Sequence, residues 1–590
     1  MDGVQSRYLS GTAECDVVVV GSGAGGLTAA VTAAAHGLET VVLEKAPLFG
    51  GTSAIAGGGL WIPANPVAAR HGIADSLDAA RTYFETFLGE DAGSARVTAF
   101  LEQGPRMVAF LEERTAMRFF VAADRPDYYP DRPGATNGGR TIFPESFDGR
   151  LLGPEIRRLR PPARELTFLG MMFKPGPELR HFLHVYRSVR SAAFVARRLL
   201  RQARDLMLHG RAMELSNGNA LVARLAKSAF DLGAPILTGV SVEGLETDGN
   251  RIAGVRFRQE GREGVLYARR GVVLAAGGFP QDMARRSHLY AHAPTGAEHR
   301  SPAPDTNTGD GLRMGEQHGA AIPALVDAAA WAPVSVVPYA DGRTGAFPHL
   351  IDRQKPGFIA VTRHGRRFVN EANSYHEFCR GLARACAGEP EAYCYLIADH
   401  RTVRRYGIGF AKPAPVPLFP YLRSGYLLRG RTLAELAQQA GIDGDAFRTT
   451  VDAFNRHARE GEDPEFGRGS SSYNRYNGDP LHRPNPCVAP VEQAPFYAVR
   501  IVMGDLGTFA GLATDENARV LDRQGNPIVG LYAAGNDASS VLGGNYMAGG
   551  STLGPGMTFG YIAARDLVHR SNAAQDRVGP DGDPQSTGLS

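Results

Sequence analysis

Two short apolar runs lie near the start of the chain: Asp16 to Val20 and TVVLEK, which ends at Glu44 and Lys45. Between them LTAAVTAAAH has helical spacing and is stopped by Gly37, a residue suited to the position just past a helix. Strand, helix, strand in that order predicts a βαβ unit. A glycine-dense stretch, Gly50 to Gly59, comes next, followed by mixed helical segments to about Arg118. Turn formers cluster between Pro126 and Gly139, which predicts a surface loop. From Arg180 to Arg211 arginines alternate with apolar residues at helical spacing, and Asp205 is the sole acid. This amphipathic segment reads either as a solvated or subunit-contact face, or as a membrane-surface patch that reaches a lipid-soluble substrate. A strand-like run, Gly271 to Ala275, leads into AAGGFP, and beyond about Arg300 the βαβ regularity is lost until near Pro495. Short apolar strands return at Ile528 to Asn536, with a helix expected from about Gly554 to His569.

The pattern places a first domain in residues 1–290 and 493–572 and an inserted second domain in 291–492. The remainder, 573–590, is polar, rich in Gly, Pro and Ser, and expected to be disordered. A chain of 590 residues exceeds what one core supports, which agrees with that division. With 43% hydrophobic and 21% charged residues, wholesale disorder is excluded. Basic residues number 64 against 61 acidic, so no global field exists to capture nucleic acid. Five cysteines (Cys15, Cys379, Cys386, Cys394, Cys487) form no CxxC or CxxH spacing. Free thiols in a reducing compartment and no metal site are expected. The start has no secretory pattern and no run of 18 apolar residues occurs, so a cytoplasmic protein is expected.

Gly21-x-Gly23-x-x-Gly26 sits between the first strand and the helix. There it permits a tight turn, backbone approach to a pyrophosphate and close helix packing. Glu44 lies 18 residues beyond Gly26, at the end of the second strand, where an acid accepts hydrogen bonds from ribose hydroxyls and repels a 2′-phosphate.

Four ordered motifs, GxGxxG, GGTSAIAGGG, AAGGF and LYAAGN followed by GGSTLGPGMTFGYIAAR, resemble those of the flavoproteins of the fumarate reductase and 3-ketosteroid dehydrogenase superfamily. The resemblance implies an α/β fold: a Rossmann-like FAD-binding domain split in sequence, with an inserted α+β domain capping the substrate. It implies that Gly51, Thr52 and Ser53 line the flavin and that Ala276 and Gly277 pass near the adenosine half. Asn536 and Leu553 close on the ribityl chain and ring, and Lys45, Val242 and Gly535 complete the cofactor wall. The covalent link of some relatives needs a histidine near the first glycine-dense stretch; none lies between Gly50 and Trp61, so noncovalent FAD is expected.

Two branches of the superfamily differ over the flavin. In the fumarate reductase branch an arginine follows an Asn-Glu pair, and a second lies in the glycine-rich approach to the last helix. Here the pair is Asn370-Glu371, and the two places hold Tyr375 and Tyr546. Phenols suit a neutral, mostly apolar ketone, because unpaired buried guanidinium groups carry a large desolvation cost. The 3-ketosteroid Δ1-dehydrogenases resemble this arrangement and imply roles for it. The Tyr546 hydroxyl and the Gly550 amide hold the ketone oxygen and stabilise the enolate as an oxyanion hole does. Tyr375 takes a proton from C2, Tyr128 of PDYYP is its hydrogen-bonding partner, and the flavin N5 accepts hydride from C1. Tyr375 then requires either a lowered pKa or a relay through Tyr128. The run YMAGG has Met547 where the family commonly has proline, which bears on how firmly Gly550 is presented. FPHLIDRQKPG brings His349, Arg353 and Lys355 near the expected pocket, either as contacts to an acidic substituent or as a surface loop.

The expected function is FAD-dependent dehydrogenation of a 3-ketosteroid or similar cyclic ketone at Δ1, with an electron acceptor the sequence does not identify. The alternatives are Δ4-(5α) dehydrogenation, enone reduction by reduced flavin, and a flavin-containing binding protein that sequesters an apolar ligand without turnover.

Overall fold

The computed structural model describes residues 7–9, 11–168, 170–172, 181–182, 185 and 188–575, the last five without side chains. The expected tail from 576 onward, and part of the 180–211 segment, lie outside the described residues.

Strand β1 (Thr12–Val20), helix α1 (Ala24–Ala35) and strand β2 (Thr40–Glu44) form the expected unit. All five residues of β2 and the four valines ending β1 are buried, as parallel strands covered on both faces require. β1 pairs in parallel with β2 on one side and with strand β3 (Arg262–Leu274) on the other. β3 pairs in parallel with β4 (Pro527–Ala533), so a strand more than 500 residues along the chain joins the same sheet. Ile236–Thr238 extends the sheet beyond β2, and Arg519–Leu521 extends it beyond β4. A long helix, α2 (Leu553–Gln575), six residues longer at its C-terminal end than expected, packs on α1. The two approach through glycine: a Cβ at Gly560 would fall 2.3 Å from the Gly25 carbonyl oxygen.

A second, antiparallel sheet takes its strands from residues 329–508. Its centre is Phe496–Thr508, paired with Ala329–Pro338 on one edge and Tyr393–Asp399 on the other. This strand corrects the expected return of the first domain at 493. Its apolar run reads alike in either sheet, and only long-range pairing assigns it to the second. Helices complete this α+β region, among them Tyr375–Ala385.

The basic helix is Val189–His209. Arg198 and Arg201 both pair with Glu214, while Val189, Leu200, Met207 and Leu208 are exposed. Among the described residues no helix is long and apolar enough to cross a membrane. All five cysteines are buried and free.

Candidate functional site

A cavity of about 1030 Å³ opens where the C-terminal ends of β1, β2 and β3 meet the start of α1. Gly21, Gly23, Gly26, Glu44, Lys45, Gly51, Thr52, Ser53, Val242, Ala276, Gly277, Gly535, Asn536 and Leu553 all line it. The glycines divide by role. A Cβ at Gly21, where φ is +104°, would fall 2.2 Å from the Ala275 carbonyl oxygen, so that glycine lets β1 and β3 close together. A Cβ at Gly23 would meet nothing nearer than Ser53 Oγ at 3.5 Å; its missing side chain leaves room in the cavity itself. Beside it Ser53 Oγ accepts the Ala24 N–H at 3.0 Å, at the positive end of α1.

Glu44 is buried and held in position. Its Oε2 accepts from the backbone and hydroxyl of Ser22, and its Oε1 accepts the Ala46 N–H at 2.8 Å. Each carboxylate oxygen keeps acceptor capacity toward the cavity. Lys45 Nζ donates to Asp310 at 2.8 Å and to Thr308 at 2.9 Å. Asp537, which sequence reasoning missed, braces the opposite wall. Its carboxylate accepts the Ala276 N–H at 2.6 Å and the Gly278 N–H at 2.8 Å. Burial pushes this carboxyl up to about 6, against those hydrogen bonds.

Leu506, Thr552 and Leu553 line the cavity at its far end, and Leu506 also packs on a buried cluster of Tyr128, Tyr375, Tyr473, Phe509 and Tyr546. Three of the expected site residues therefore meet. The rings of Tyr375 and Tyr546 lie 5.0 Å apart, Tyr128 stacks on Tyr546 at 5.8 Å, and the Tyr128 hydroxyl donates to the Tyr375 hydroxyl at 3.0 Å. Tyr473, for which the sequence held no signal, lies 4.6 Å from Tyr128, ring to ring.

Local structure fixes each phenol. Tyr375 begins its helix directly after Ser374, whose Oγ caps the Glu377 N–H at 3.2 Å. The adjacent His376 is clamped between the Trp331 N–H at 3.1 Å and Asp327 at 2.9 Å. Asp127 anchors the Tyr128 loop by accepting from Trp61, Arg140 and Thr136. The expected surface loop is thus exposed only in part, since Asp127 and Tyr128 are buried. The Met547 carbonyl accepts from the Tyr83 hydroxyl at 2.9 Å and the Tyr128 N–H at 3.0 Å, which hold the YMAGG segment in place. Gly550 has φ +104°, and a Cβ there would fall 2.5 Å from the Trp61 nitrogen. Its carbonyl accepts from Trp61 and Gly554, while among the described residues its N–H has no acceptor.

Burial pushes the Tyr375 phenol well above its usual range, and the Tyr128 hydroxyl donates to it. Burial also raises Tyr128 and Tyr546, with nearby Arg125 acting the other way on both. Arg125 is a cation the sequence reading did not place here. The basic trio of FPHLIDRQKPG turns elsewhere. Arg353 donates to the carbonyls of His349, Glu371 and Asn373; Lys355 donates to those of Asn477 and Gly478; His349 bonds Asp352 and Ser335.

The family model described as FAD binding domain matches residues 16–553. The chain belongs to this family. It is 41% identical to 4-oxocyclohex-2-ene-1-carboxylate 5-dehydrogenase of Sinomonas cyclohexanicum, over 96% of this chain and 96% of that protein. It is 36% identical to 3-oxosteroid 1-dehydrogenase of Mycolicibacterium smegmatis, over 97% of this chain and the full length of the other. The crystal structure of 3-ketosteroid delta1-dehydrogenase from Sterolibacterium denitrificans in complex with 1,4-androstadiene-3,17-dione superposes with a TM-score of 0.87. It is 36% identical, covering 94% of this chain and all of that one. The family supplies FAD as the cofactor, and the cavity suits it: glycine-lined room at a helix N-terminus, and a fixed acid at the end of β2. Among the described residues no histidine, cysteine or tyrosine lines the cavity, so its wall offers no side chain of the kinds that bond flavin covalently.

Proposed function

We propose that the protein is an FAD-dependent dehydrogenase of ring ketones, steroid-like in the carbonyl end it recognises, that forms a C=C conjugated to the ketone. The observation that carries this reading is the Tyr128, Tyr375 and Tyr546 cluster abutting the cofactor cavity at Leu506 and Thr552. Tyr546 and the Gly550 N–H hold the ketone oxygen and stabilise negative charge on it as the neighbouring carbon loses its proton. Tyr375 takes that proton in its phenolate form and becomes the neutral phenol, with the Tyr128 hydroxyl placed to donate to the phenolate oxygen from 3.0 Å. Bound FAD supplies the hydride acceptor. Burial of the phenols excludes water, which strengthens each of these contacts.

The reading retains two units. Residues 1–290 with those beyond Thr508 form most of the cofactor wall, joined by Thr306, Asn307, Asp310 and Leu506 from the unit 291–508 that covers the ketone; the sheet of 329–508 supports the later boundary. A cytoplasmic location is supported by five unpaired, buried thiols. The engagement of Arg198 and Arg201 with Glu214 favours a solvated role for the basic helix.

The test is incubation with androst-4-ene-3,17-dione and, separately, with 4-oxocyclohexanecarboxylate, each with an artificial electron acceptor. Acceptor reduction with appearance of the α,β-unsaturated ketone supports the reading. A ligand-induced flavin spectral change without turnover of either compound overturns it in favour of a binding protein.

A further inference from the structure

We infer that Arg125 is the counter-ion for a carboxylate carried by the substrate, so that the preferred ring ketone is a small oxo-acid. This rests on the ketone-dehydrogenase reading above and specifies the substrate of the same site.

Arg125 lies three residues before Tyr128, on the loop that Asp127 anchors. Its guanidinium packs over Gly549: a Cβ there would fall 2.6 Å from Nη2 and 2.8 Å from Cζ. Gly549 is the residue before Gly550, so bond lengths alone put the guanidinium carbon within about 7 Å of the Gly550 nitrogen. Its electrostatic neighbours are the phenols of Tyr128, Tyr476, Tyr473 and Tyr375. It donates toward the Tyr128 hydroxyl, and its Nε is buried without a partner.

Three other buried arginines meet carboxylates, whereas the fully buried Arg353 meets backbone carbonyls and keeps one nitrogen unpartnered. Arg140 bridges Asp75 and Asp127, Arg367 bridges Glu371 and Asp463, and Arg468 meets Glu371. Among the described residues Arg125 has no carboxylate partner. Arg125 lies over the rings of Phe143 and Tyr476, at 5.7 and 6.0 Å, and cannot shed its proton; a planar carboxylate matches its fork at the unpartnered Nε.

Distance selects the size of that anion's carrier. On this reading the ketone oxygen sits at Gly550 and Tyr546 and the carboxylate at Arg125, whose guanidinium carbon is no more than about 7 Å from the Gly550 nitrogen. One six-membered ring with its ketone and carboxylate at opposite corners spans this gap. A fused four-ring nucleus with an acid at its far end does not.

The experiment compares 4-oxocyclohexanecarboxylate with its methyl ester on wild type, Arg125→Leu and Arg125→Lys. Two readouts are taken: kcat/KM with an artificial acceptor, and Kd by calorimetry on the FAD-loaded protein. Wild type should prefer the acid by about 10- to 100-fold in both. R125L should bring the acid-to-ester ratio close to one, and R125K should retain part of the preference. Equal handling of acid and ester by wild type overturns the proposal while leaving ketone dehydrogenation intact. An equal fall on acid and ester in R125L also overturns it, and makes Arg125 a positioning residue for Tyr128. Acid-selective binding that R125L abolishes, without turnover of either compound, upholds the proposal and defeats the activity reading instead.

Discussion

The Tyr128 hydroxyl donates to the Tyr375 hydroxyl at 3.0 Å, across 247 residues of chain. Among the described residues neither phenol has a carboxylate or imidazole as a hydrogen-bond partner, and burial raises both. On the proposed reading Tyr375 takes the substrate proton as a phenolate, and the Tyr128 hydroxyl is placed to hold that phenolate by donating to it. That arrangement separates the roles of the three phenols and makes each testable.

Tyr375→Phe should stop exchange of the proton α to the ketone while FAD stays bound. The check is deuterium uptake from D₂O into the ketone, followed by NMR, with flavin content read from the visible spectrum. Wild-type exchange rates in the variant would remove Tyr375 as the base. Tyr128→Phe should slow exchange without abolishing it.

Tyr546→Phe should cost about 2–4 kcal/mol of transition-state stabilisation, the scale of one lost oxyanion donor, or roughly a 30- to 1000-fold fall in kcat. Steady-state kinetics on any accepted ring ketone reads this directly. Activity equal to wild type would leave Gly550 as the sole holder of the ketone oxygen.

Asp537→Ala should release FAD. The change leaves the Ala276 and Gly278 amides without their acceptor, at about 1–3 kcal/mol each, in the loop that forms one wall of the cavity. Flavin retained through gel filtration at wild-type stoichiometry would contradict this.

Glu371 sets an acid limit. Burial opposes its charge, but pairing with Arg367 and Arg468 prevails and lowers its pKa from 4.5 to about 2. A carboxylate whose folded pKa is depressed stabilises fully above 4.5, and that contribution is lost as pH falls toward 2. It amounts to about 3 kcal/mol. Thermal midpoints measured from pH 6 to pH 3 should fall along this slope, and Glu371→Gln should be less stable at pH 7 with a flatter acid dependence.

What the sequence made legible was local. β1, α1 and β2 follow from β-branched runs, a glycine motif and a stop residue that sit side by side, so no distant contact decides them. The strand Phe496–Thr508 was misassigned because its partners begin at Ala329 and Tyr393, and nothing in its own apolar run says which sheet receives it. Tyr128, Tyr375 and Tyr546 came from family resemblance; no spacing rule joins residues so far apart. The trio of His349, Arg353 and Lys355 reads from sequence either as contacts to an acidic substituent or as a surface loop; His349 and Arg353 are instead buried, and sequence proximity to a pocket does not show that a guanidinium will turn inward onto backbone carbonyls. Arg125 drew no notice for the converse reason. It stands alone among turn formers, and its meaning lies in the partner it lacks.

The cofactor cavity is walled by residues 20–56, 240–310 and 506–556. A nascent chain emerging from the ribosome thus carries an open, unfinished socket through most of its synthesis. The socket closes only when the stretch bearing Gly535, Asp537 and Gly556 arrives. Until then the β3 edge that receives β4 lacks its partner, and the cavity lacks one of its walls.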